Sequence, residues 1–251
     1  MNDVITGIIL GFVQGITEFL PVSSSGHLIV FRDFLGIEIA NSLLFDVLLH
    51  LATALAIIVY FRADIVGLFK QPREHRVLWL AIILGTIPAA LLGLFLGDSY
   101  RSSSVVAIGL IVGSILFIIA EKFATQNKPL SLQKGIFIGA FQALALIPGM
   151  SRSGSTISGG LLLGMKRDEA AKFSFFLGLP IIMGAGLLEV VRSFEYFAGG
   201  QISMGLIVGV ITAFVTGVFS IHFLLQFLRN HTLIGFAWYR IILAILILLF
   251  I

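Results

Sequence analysis

Two short polar segments interrupt an otherwise apolar sequence, and the first carries side chains suited to acid, base and nucleophilic chemistry. Gln14 and Glu18 precede three consecutive serines, and His27 follows them after one glycine. A spacing of four residues places Gln14 and Glu18 on one face of a helix. A serine hydroxyl can act as a nucleophile with the imidazole as its base, and the carboxylate can bind a hard cation. A serine-rich helix cap with a hydrogen-bonded core histidine explains the same pattern equally well.

The second segment, residues 148–156, has the sequence Pro-Gly-Met-Ser-Arg-Ser-Gly-Ser-Thr. A glycine and several hydroxyls surround the start of the short helix predicted to follow: Gly149, Ser151, Ser153 and Thr156. The backbone N–H groups and the positive dipole end of such a helix favour an anion. Arg152 adds a planar fork that matches phosphate oxygens. We therefore predict a phosphate-binding loop, the alternative being a structural arginine that holds loop carbonyls.

The composition indicates that both segments lie within a membrane protein. Of the 251 residues, 58% are hydrophobic and 12% are charged, with a mean hydropathy of +1.08. Soluble chains have about 45–50% apolar and about 25% charged residues. The net charge of +3 is spread without a basic tract, which argues against nucleic acid as a partner. The chain has no cysteine, which excludes disulfides and metal sites built on cysteine ligands.

Six apolar stretches are long enough, at about 20 residues, to span a bilayer. They cover residues 39–61, 77–96, 104–120, 173–191, 202–228 and 233–251. Shorter stretches lead into the polar segments and follow them. We interpret these as two re-entrant hairpins, at about 4–36 and 131–165, because irregular backbone at membrane depth requires protein or a water-filled cavity around it.

The two hairpins are related by a shift of 128 residues. The shift superposes Gly7, Ile8, Gly11, Gln14, Ser23, Ser25 and Gly26 on Gly135, Ile136, Gly139, Gln142, Ser151, Ser153 and Gly154. We predict a single all-α membrane domain over 1–251, with repeat one at about 1–125 and repeat two at about 129–251. Each repeat is a hairpin plus three transmembrane helices. Because three is odd, the second repeat enters from the opposite side and the repeat is inverted.

The distribution of Lys and Arg predicts the orientation. Eleven of the sixteen fall in loops on one side, which we assign to the inside: Arg62, Lys70, Arg73, Arg76, Lys122, Lys128, Lys134, Lys166, Arg167, Lys172 and Arg229. Only Arg32, Arg101 and Arg192 lie on the other side, while Arg152 and Arg240 fall within the apolar layer. Both termini are therefore predicted to be outside.

Together, the hairpins contain the parts of a phosphoryl-transfer site, and at these residues the sequence resembles a known family. It is similar to the bacterial undecaprenyl-diphosphate phosphatases of the bacitracin-resistance type. The first family motif matches Gln14 to Glu18 and the serine-rich stretch ending at His27. The second motif matches residues 148–156. The resemblance covers essentially the whole chain, with both motifs in the expected order.

The resemblance implies that the protein removes the terminal phosphate of undecaprenyl diphosphate, recycling the carrier lipid for cell-wall synthesis, with a magnesium or calcium ion as cofactor. It implies that Glu18 is the key carboxylate and metal ligand, Ser24 the nucleophile and His27 its partner. Arg152 would hold the diphosphate with the remaining motif residues: Gln14, Ser23, Ser25, Gly149, Ser151, Ser153 and Thr156. Many members have glutamate at position 14, so Gln14 keeps an oxygen that can bind the metal but does not supply a second carboxylate.

Several alternatives stay open from sequence. Metal-activated water or His27 could attack phosphorus instead of Ser24. A flippase or transporter of the same lipid would need the same phosphate clamp. Asp46 and His50 could line the cavity or form interhelical hydrogen bonds. The expected location is the bacterial plasma membrane with the site facing outward, the expected partners are the polyprenyl diphosphate and the bilayer, and a homodimer is left open.

Overall fold

The computed structural model describes residues 2–39, 41–95, 102–193 and 202–250, and within these ranges the chain forms eleven helices and no strand. The first six are α1 (Asp3–Thr17), α2 (Ser24–Leu35), α3 (Ser42–Tyr60), α4 (Arg62–Lys70), α5 (Arg76–Phe95) and α6 (Ser103–Phe123). The others are α7 (Leu132–Leu144), α8 (Arg152–Leu162), α9 (Arg167–Arg192), α10 (Met204–Asn230) and α11 (Ile234–Phe250). The predicted all-α class is confirmed.

Five of these helices are long and apolar enough to cross a bilayer, namely α3, α5, α6, α9 and α10, so the protein is a multi-pass membrane protein. The sixth predicted span corresponds to α11, an apolar helix of 17 described residues. Helix α9 begins at Arg167, six residues before the predicted start, and α4 was not predicted. Leu96, Arg101 and Ile251 belong to sequence predictions but lie outside the described residues.

Two pairs of short helices form the predicted hairpins. Helix α1 has 15 residues and α8 has 11, which at about 1.5 Å per residue is less than the roughly 30 Å of a bilayer core. Residues 18–23 and 145–151 connect the two arms of each pair. The second arms begin at Ser24 and Arg152, so polar residues form the first helical turn of each.

The first arm of each hairpin packs against a long helix of the other half of the chain. Helix α1 packs against α10, where a Cβ at Gly11 would lie 2.3 Å from the carbonyl oxygen of Gly209. Helix α7 packs against α5, where a Cβ at Gly139 would lie 2.2 Å from the carbonyl oxygen of Gly85. Small residues allow such close approach of membrane helices. These two helix pairs correspond to each other, as expected for a repeat. The inverted orientation of the second repeat and the repeat boundaries stay predictions.

Polar contacts group the helix ends into two faces. On one face Asp3 accepts a hydrogen bond from the Gly205 backbone N–H (2.8 Å), joining the starts of α1 and α10. On the other face Glu121 near the end of α6 pairs with Arg167 at the start of α9. The Glu121 carboxylate also accepts the Leu233 N–H (2.7 Å) just before α11. The second face therefore contains helix ends that the distribution of Lys and Arg predicts to be on the inside.

Candidate active site

Glu18 lies at the centre of the polar site, where it caps the C-terminal end of α1. Its side chain is 6% exposed, and its Oε2 accepts hydrogen bonds from the Ser24 hydroxyl (2.8 Å) and from the Gln14 amide (3.0 Å). His50 Nδ1 on α3 lies 3.1 Å from the same oxygen and 2.8 Å from Gln14 Nε2. The expected i, i+4 pairing of Gln14 and Glu18 is thus present, and His50 completes the cluster.

Arg152 reaches the same carboxylate from the opposite hairpin, 134 residues away in sequence. Its Nη2 donates to Glu18 Oε1 at 2.7 Å, and its Nη1 donates to the Ser174 carbonyl on α9 at 3.2 Å. A Cβ at Gly178 would lie 2.0 Å from Nη1, so the absence of a side chain there makes room for the guanidinium. The two hairpin tips meet at this ion pair, which places a cation beside the hydroxyl and the carboxylate.

The residues that begin the second arms have unusual backbone conformations. Ser23 precedes α2 with a φ of 75°, and Ser151 precedes α8 with a φ of 70°. Non-glycine residues rarely adopt this left-handed region, and such strain concentrates at functional sites. The two serines are related by the 128-residue shift, so both hairpins turn in the same strained way. This turn brings Ser24 and Arg152 to equivalent places at the starts of α2 and α8.

His27 forms its hydrogen bonds with residues other than Ser24, so its role as the partner of Ser24 stays a prediction. The two ring nitrogens of His27 have other partners: Nδ1 lies 2.8 Å from the Ser23 carbonyl oxygen and Nε2 lies 2.7 Å from the Tyr239 hydroxyl. The imidazole also stacks on the Tyr239 ring, with centroids 5.7 Å apart. Because Tyr239 comes from α11, these contacts tie the first hairpin to the last helix and leave Glu18 as the hydrogen-bond partner of Ser24.

A cavity of about 200 Å³ opens where the hairpin tips meet. Six predicted site residues line it: Glu18, Ser23, Ser24, Ser25, Ser151 and Arg152. A second cavity of about 360 Å³ adjoins it, sharing Ser25, His50, Ala145, Leu146, Ile181 and Ile182. The second cavity is mainly apolar and extends past Leu43 at the start of α3. A cavity lined mostly by polar residues thus continues into one lined mostly by apolar residues, which leads towards the face where α1 begins.

Five predicted site residues lie behind this lining: Gln14, His27, Gly149, Ser153 and Thr156. The Thr156 hydroxyl bonds the Arg152 carbonyl (2.8 Å) and the Ser174 hydroxyl (2.6 Å), and the Ser153 hydroxyl contacts Ser151 Oγ (3.2 Å). Gly149 has a φ of 90° and packs against α6, where a Cβ would lie 2.2 Å from a carbonyl oxygen. These groups hold the loop that presents Arg152.

Arg240 holds both hairpin tips from behind. Its side chain is fully buried and donates to the carbonyls of Gly149 (2.9 Å), Pro21 (3.2 Å) and Met150 (3.2 Å), while its guanidinium lies 4.6 Å from the Phe117 ring centroid. Buried backbone carbonyls need donors, and this arginine supplies them at both breaks.

The residues around Glu18 fit a hard divalent cation. The Gln14 side chain is fully buried, and its Oε1 has no hydrogen-bond partner among the described residues. This amide oxygen, the Glu18 carboxylate and the Ser24 hydroxyl are the oxygen donors that magnesium and calcium prefer. Among the described residues, no cluster of three or more His, Asp or Glu side chains is placed to hold a metal. Magnesium commonly combines one or two carboxylates with substrate phosphates.

Comparison with known proteins identifies the family. A family model described as bacitracin resistance protein BacA matches residues 7–246. The chain belongs to this family. A protein of Carboxydothermus hydrogenoformans named undecaprenyl-diphosphatase is 41% identical, over 96% of this chain and 95% of its own length. Proteins with the same name from Thermodesulfovibrio yellowstonii (41%, over 99% and 98%) and Trichlorobacter lovleyi (40%, over 95% and 94%) are similar. The resemblance seen in the sequence motifs is confirmed.

Several residues of the site were not predicted from sequence. His50 combines the two roles left open for it, because it lines the cavity and contacts Gln14 on another helix. Asp46, one turn earlier on α3, lines the second cavity and forms an ion pair with Arg32. Ser174, Tyr239 and Gln142 were given no role. For Gln142 the repeat supplied the one available signal, because the residue occupies the place of Gln14 in the second hairpin.

Proposed function

We propose that this BacA family member is an undecaprenyl-diphosphatase, which hydrolyses the terminal phosphate of undecaprenyl diphosphate to give undecaprenyl phosphate and inorganic phosphate. The observation that carries the proposal is the hydrogen bond from Ser24 to Glu18, beside Arg152 from the opposite hairpin. The polar cavity suits a diphosphate, and the adjoining apolar cavity suits the start of a polyprenyl chain. The names of the relatives agree with this substrate.

The mechanism begins with Arg152 binding oxygens of the diphosphate beside Ser24. Ser24 Oγ attacks the terminal phosphorus while Glu18 takes the hydroxyl proton through the hydrogen bond already present. The bond from phosphorus to the bridging oxygen breaks, and polyprenyl phosphate leaves with the proton that Glu18 took from Ser24, which returns Glu18 to its carboxylate form. Water then attacks the phosphoserine, Glu18 accepts a proton from it, and inorganic phosphate is released as Ser24 regains its proton. Arg152 neutralises the charge that develops on the phosphoryl oxygens.

A divalent cation is part of the proposal, held by Glu18 and Gln14 together with substrate oxygens. Such an ion would supply charge neutralisation for the phosphoryl group.

The contacts of His27 argue against one of the alternatives for the attack on phosphorus. A phosphohistidine at His27 is disfavoured because its ring nitrogens are engaged by the Ser23 carbonyl and the Tyr239 hydroxyl.

A flippase or transporter of the same lipid is the second candidate function, and the site argues against it. Transport requires a phosphate-binding site but does not require a serine hydroxyl that is hydrogen-bonded to a buried carboxylate. Phosphate release from a polyprenyl diphosphate by the purified protein, measured with and without a chelator, tests the proposal. Release that requires a divalent cation is the expected result. Lipid transfer between leaflets without phosphate release would overturn it.

Replacing Gln14 tests the metal ligands. Gln14→Glu adds a second carboxylate next to Glu18, so the cation concentration for half-maximal activity should fall by about tenfold. Gln14→Leu removes the amide oxygen and should raise that concentration. A magnesium titration of both variants beside the wild type measures the effect. Unchanged half-maximal concentrations in both would show that position 14 lies outside the metal shell.

We place the protein in the bacterial plasma membrane with its termini and its active site on the outer side. The support is the excess of Lys and Arg at the opposite face and the extension of the apolar cavity towards the start of α3. Because the chain has no cysteine, a thiol reagent labels a single-cysteine variant of this protein only at the introduced residue. Ser104 is exposed in the first turn of α6, and Asn127 is exposed in the segment that follows the end of α6. A membrane-impermeant thiol reagent on intact cells should label Ser104→Cys and leave Asn127→Cys unlabelled; the reverse result would invert the orientation.

A further inference from the structure

Gln142 presents an unsatisfied amide to the cavity at the hairpin tips. The residue lies in the last turn of α7, is 2% exposed and is part of the cavity lining. Neither its Oε1 nor its Nε2 has a hydrogen-bond partner among the described residues. A buried amide without partners costs free energy, so its retention at this position calls for a partner that the protein itself does not provide.

The comparison with the first hairpin explains why this amide has no protein partner. Gln14 occupies the same place in α1, and its Nε2 contacts Glu18 and His50. The shift of 128 residues replaces those two partners by Leu146 and Gly178, neither of which has a polar side chain. At Gly178 the vacated space is filled by the Arg152 guanidinium. The second hairpin thus keeps the glutamine but lacks both groups that bind it in the first.

The chemistry of the cavity indicates what would bind the free amide. Arg152 contributes a cation, Ser24 and Ser151 contribute hydroxyls, and Glu18 is already paired with Arg152. A ligand with several anionic oxygens would engage the guanidinium and accept from the amide N–H groups. We propose that Gln142 is a substrate ligand, whose side-chain amide donates a hydrogen bond to the diphosphate of the lipid. This inference rests on the proposed function and adds a binding residue to its site.

A structural role for Gln142 predicts a different outcome from a role in binding. Gln142→Leu preserves approximate size and removes an amide that forms no hydrogen bond with the residues the structure describes. If the amide serves the substrate, the variant folds with an unchanged or raised melting temperature and binds substrate less well. If the amide supports the fold, the melting temperature falls together with activity.

The experiment compares wild type, Gln142→Leu and Ser158→Ala in phosphate release from farnesyl diphosphate, with thermal melting of each protein. Ser158 is a matched control because it is fully buried on α8, its hydroxyl has no partner in the described part of the chain, and it lies outside the cavity lining. We expect kcat/KM of Gln142→Leu to fall about ten- to hundredfold, mainly through KM, without loss of melting temperature. Ser158→Ala should keep wild-type kinetics.

The possible results separate the inference from the function on which it rests. Wild-type kinetics in Gln142→Leu, or a loss of activity that follows a lower melting temperature, would overturn the role of Gln142. A wild type that binds farnesyl diphosphate but releases no phosphate would refute the phosphatase. In that case the dissociation constant of farnesyl diphosphate for the same variants still decides the role of Gln142, with a ten- to hundredfold increase in Gln142→Leu expected again.

Discussion

Ser24→Ala is expected to reduce turnover by about 10³-fold or more while the protein still binds its substrate. The hydroxyl is the proposed nucleophile, and its hydrogen bond to Glu18 Oε2 at 2.8 Å provides the path for its proton. Arg152 stays in place without it, because that guanidinium is held by Glu18 Oε1 and the Ser174 carbonyl. Single-turnover phosphate release from a polyprenyl diphosphate measures the loss.

Ser25→Ala is the control for this variant, because Ser25 lines the same cavity one residue further along α2. Losing a hydroxyl that only contacts substrate should cost about tenfold or less. Acid quenching of the wild type with substrate labelled in the terminal phosphate should trap label on the protein, and Ser24→Ala should trap none. Near-normal turnover of Ser24→Ala would show that Ser24 is not the nucleophile and that water attacks phosphorus directly.

The polar parts of the site could be predicted from sequence because local rules govern them. The i, i+4 spacing of Gln14 and Glu18 places both on one face of α1, and the helix start after Ser151 presents Arg152. The internal repeat then indicated that the two segments are equivalent. Ionisable groups within a membrane are costly unless they are paired, and the ion pair of Arg152 and Glu18 at 2.7 Å agrees with this rule.

The partners of His27, His50 and Arg240 could not be predicted in the same way. Each choice depends on a side chain from a distant helix, such as Tyr239 on α11 for His27. In a membrane protein the faces towards lipid and towards protein are both apolar, so the periodicity that identifies the buried face of a soluble helix is lost. Without that periodicity, the sequence could not indicate that Arg240 would donate to loop carbonyls.

Glu18→Gln is expected to lower kcat by about 10²- to 10⁴-fold, because the amide cannot take the proton from Ser24. The change keeps the size of the side chain and frees Arg152 from its carboxylate partner, so substrate affinity should be retained or increased. Steady-state kinetics should therefore show a fall in kcat without a rise in KM. A rise in KM with kcat preserved would mean that Glu18 serves binding and that another group accepts the proton.

Glu121→Gln is the matched control, because it alters a second carboxylate of nearly equal burial at the opposite face of the protein. The Glu121 side chain is 5% exposed, against 6% for Glu18, and each carboxylate pairs with one arginine. Removing one partner of a buried pair costs about 3–5 kcal/mol, so Glu121→Gln should lower the melting temperature with kcat unchanged below that temperature. If the two variants lost activity only in proportion to lost stability, the special role of Glu18 in proton transfer would be refuted. A fall in kcat confined to Glu18→Gln would place the chemistry at the meeting point of the two hairpins.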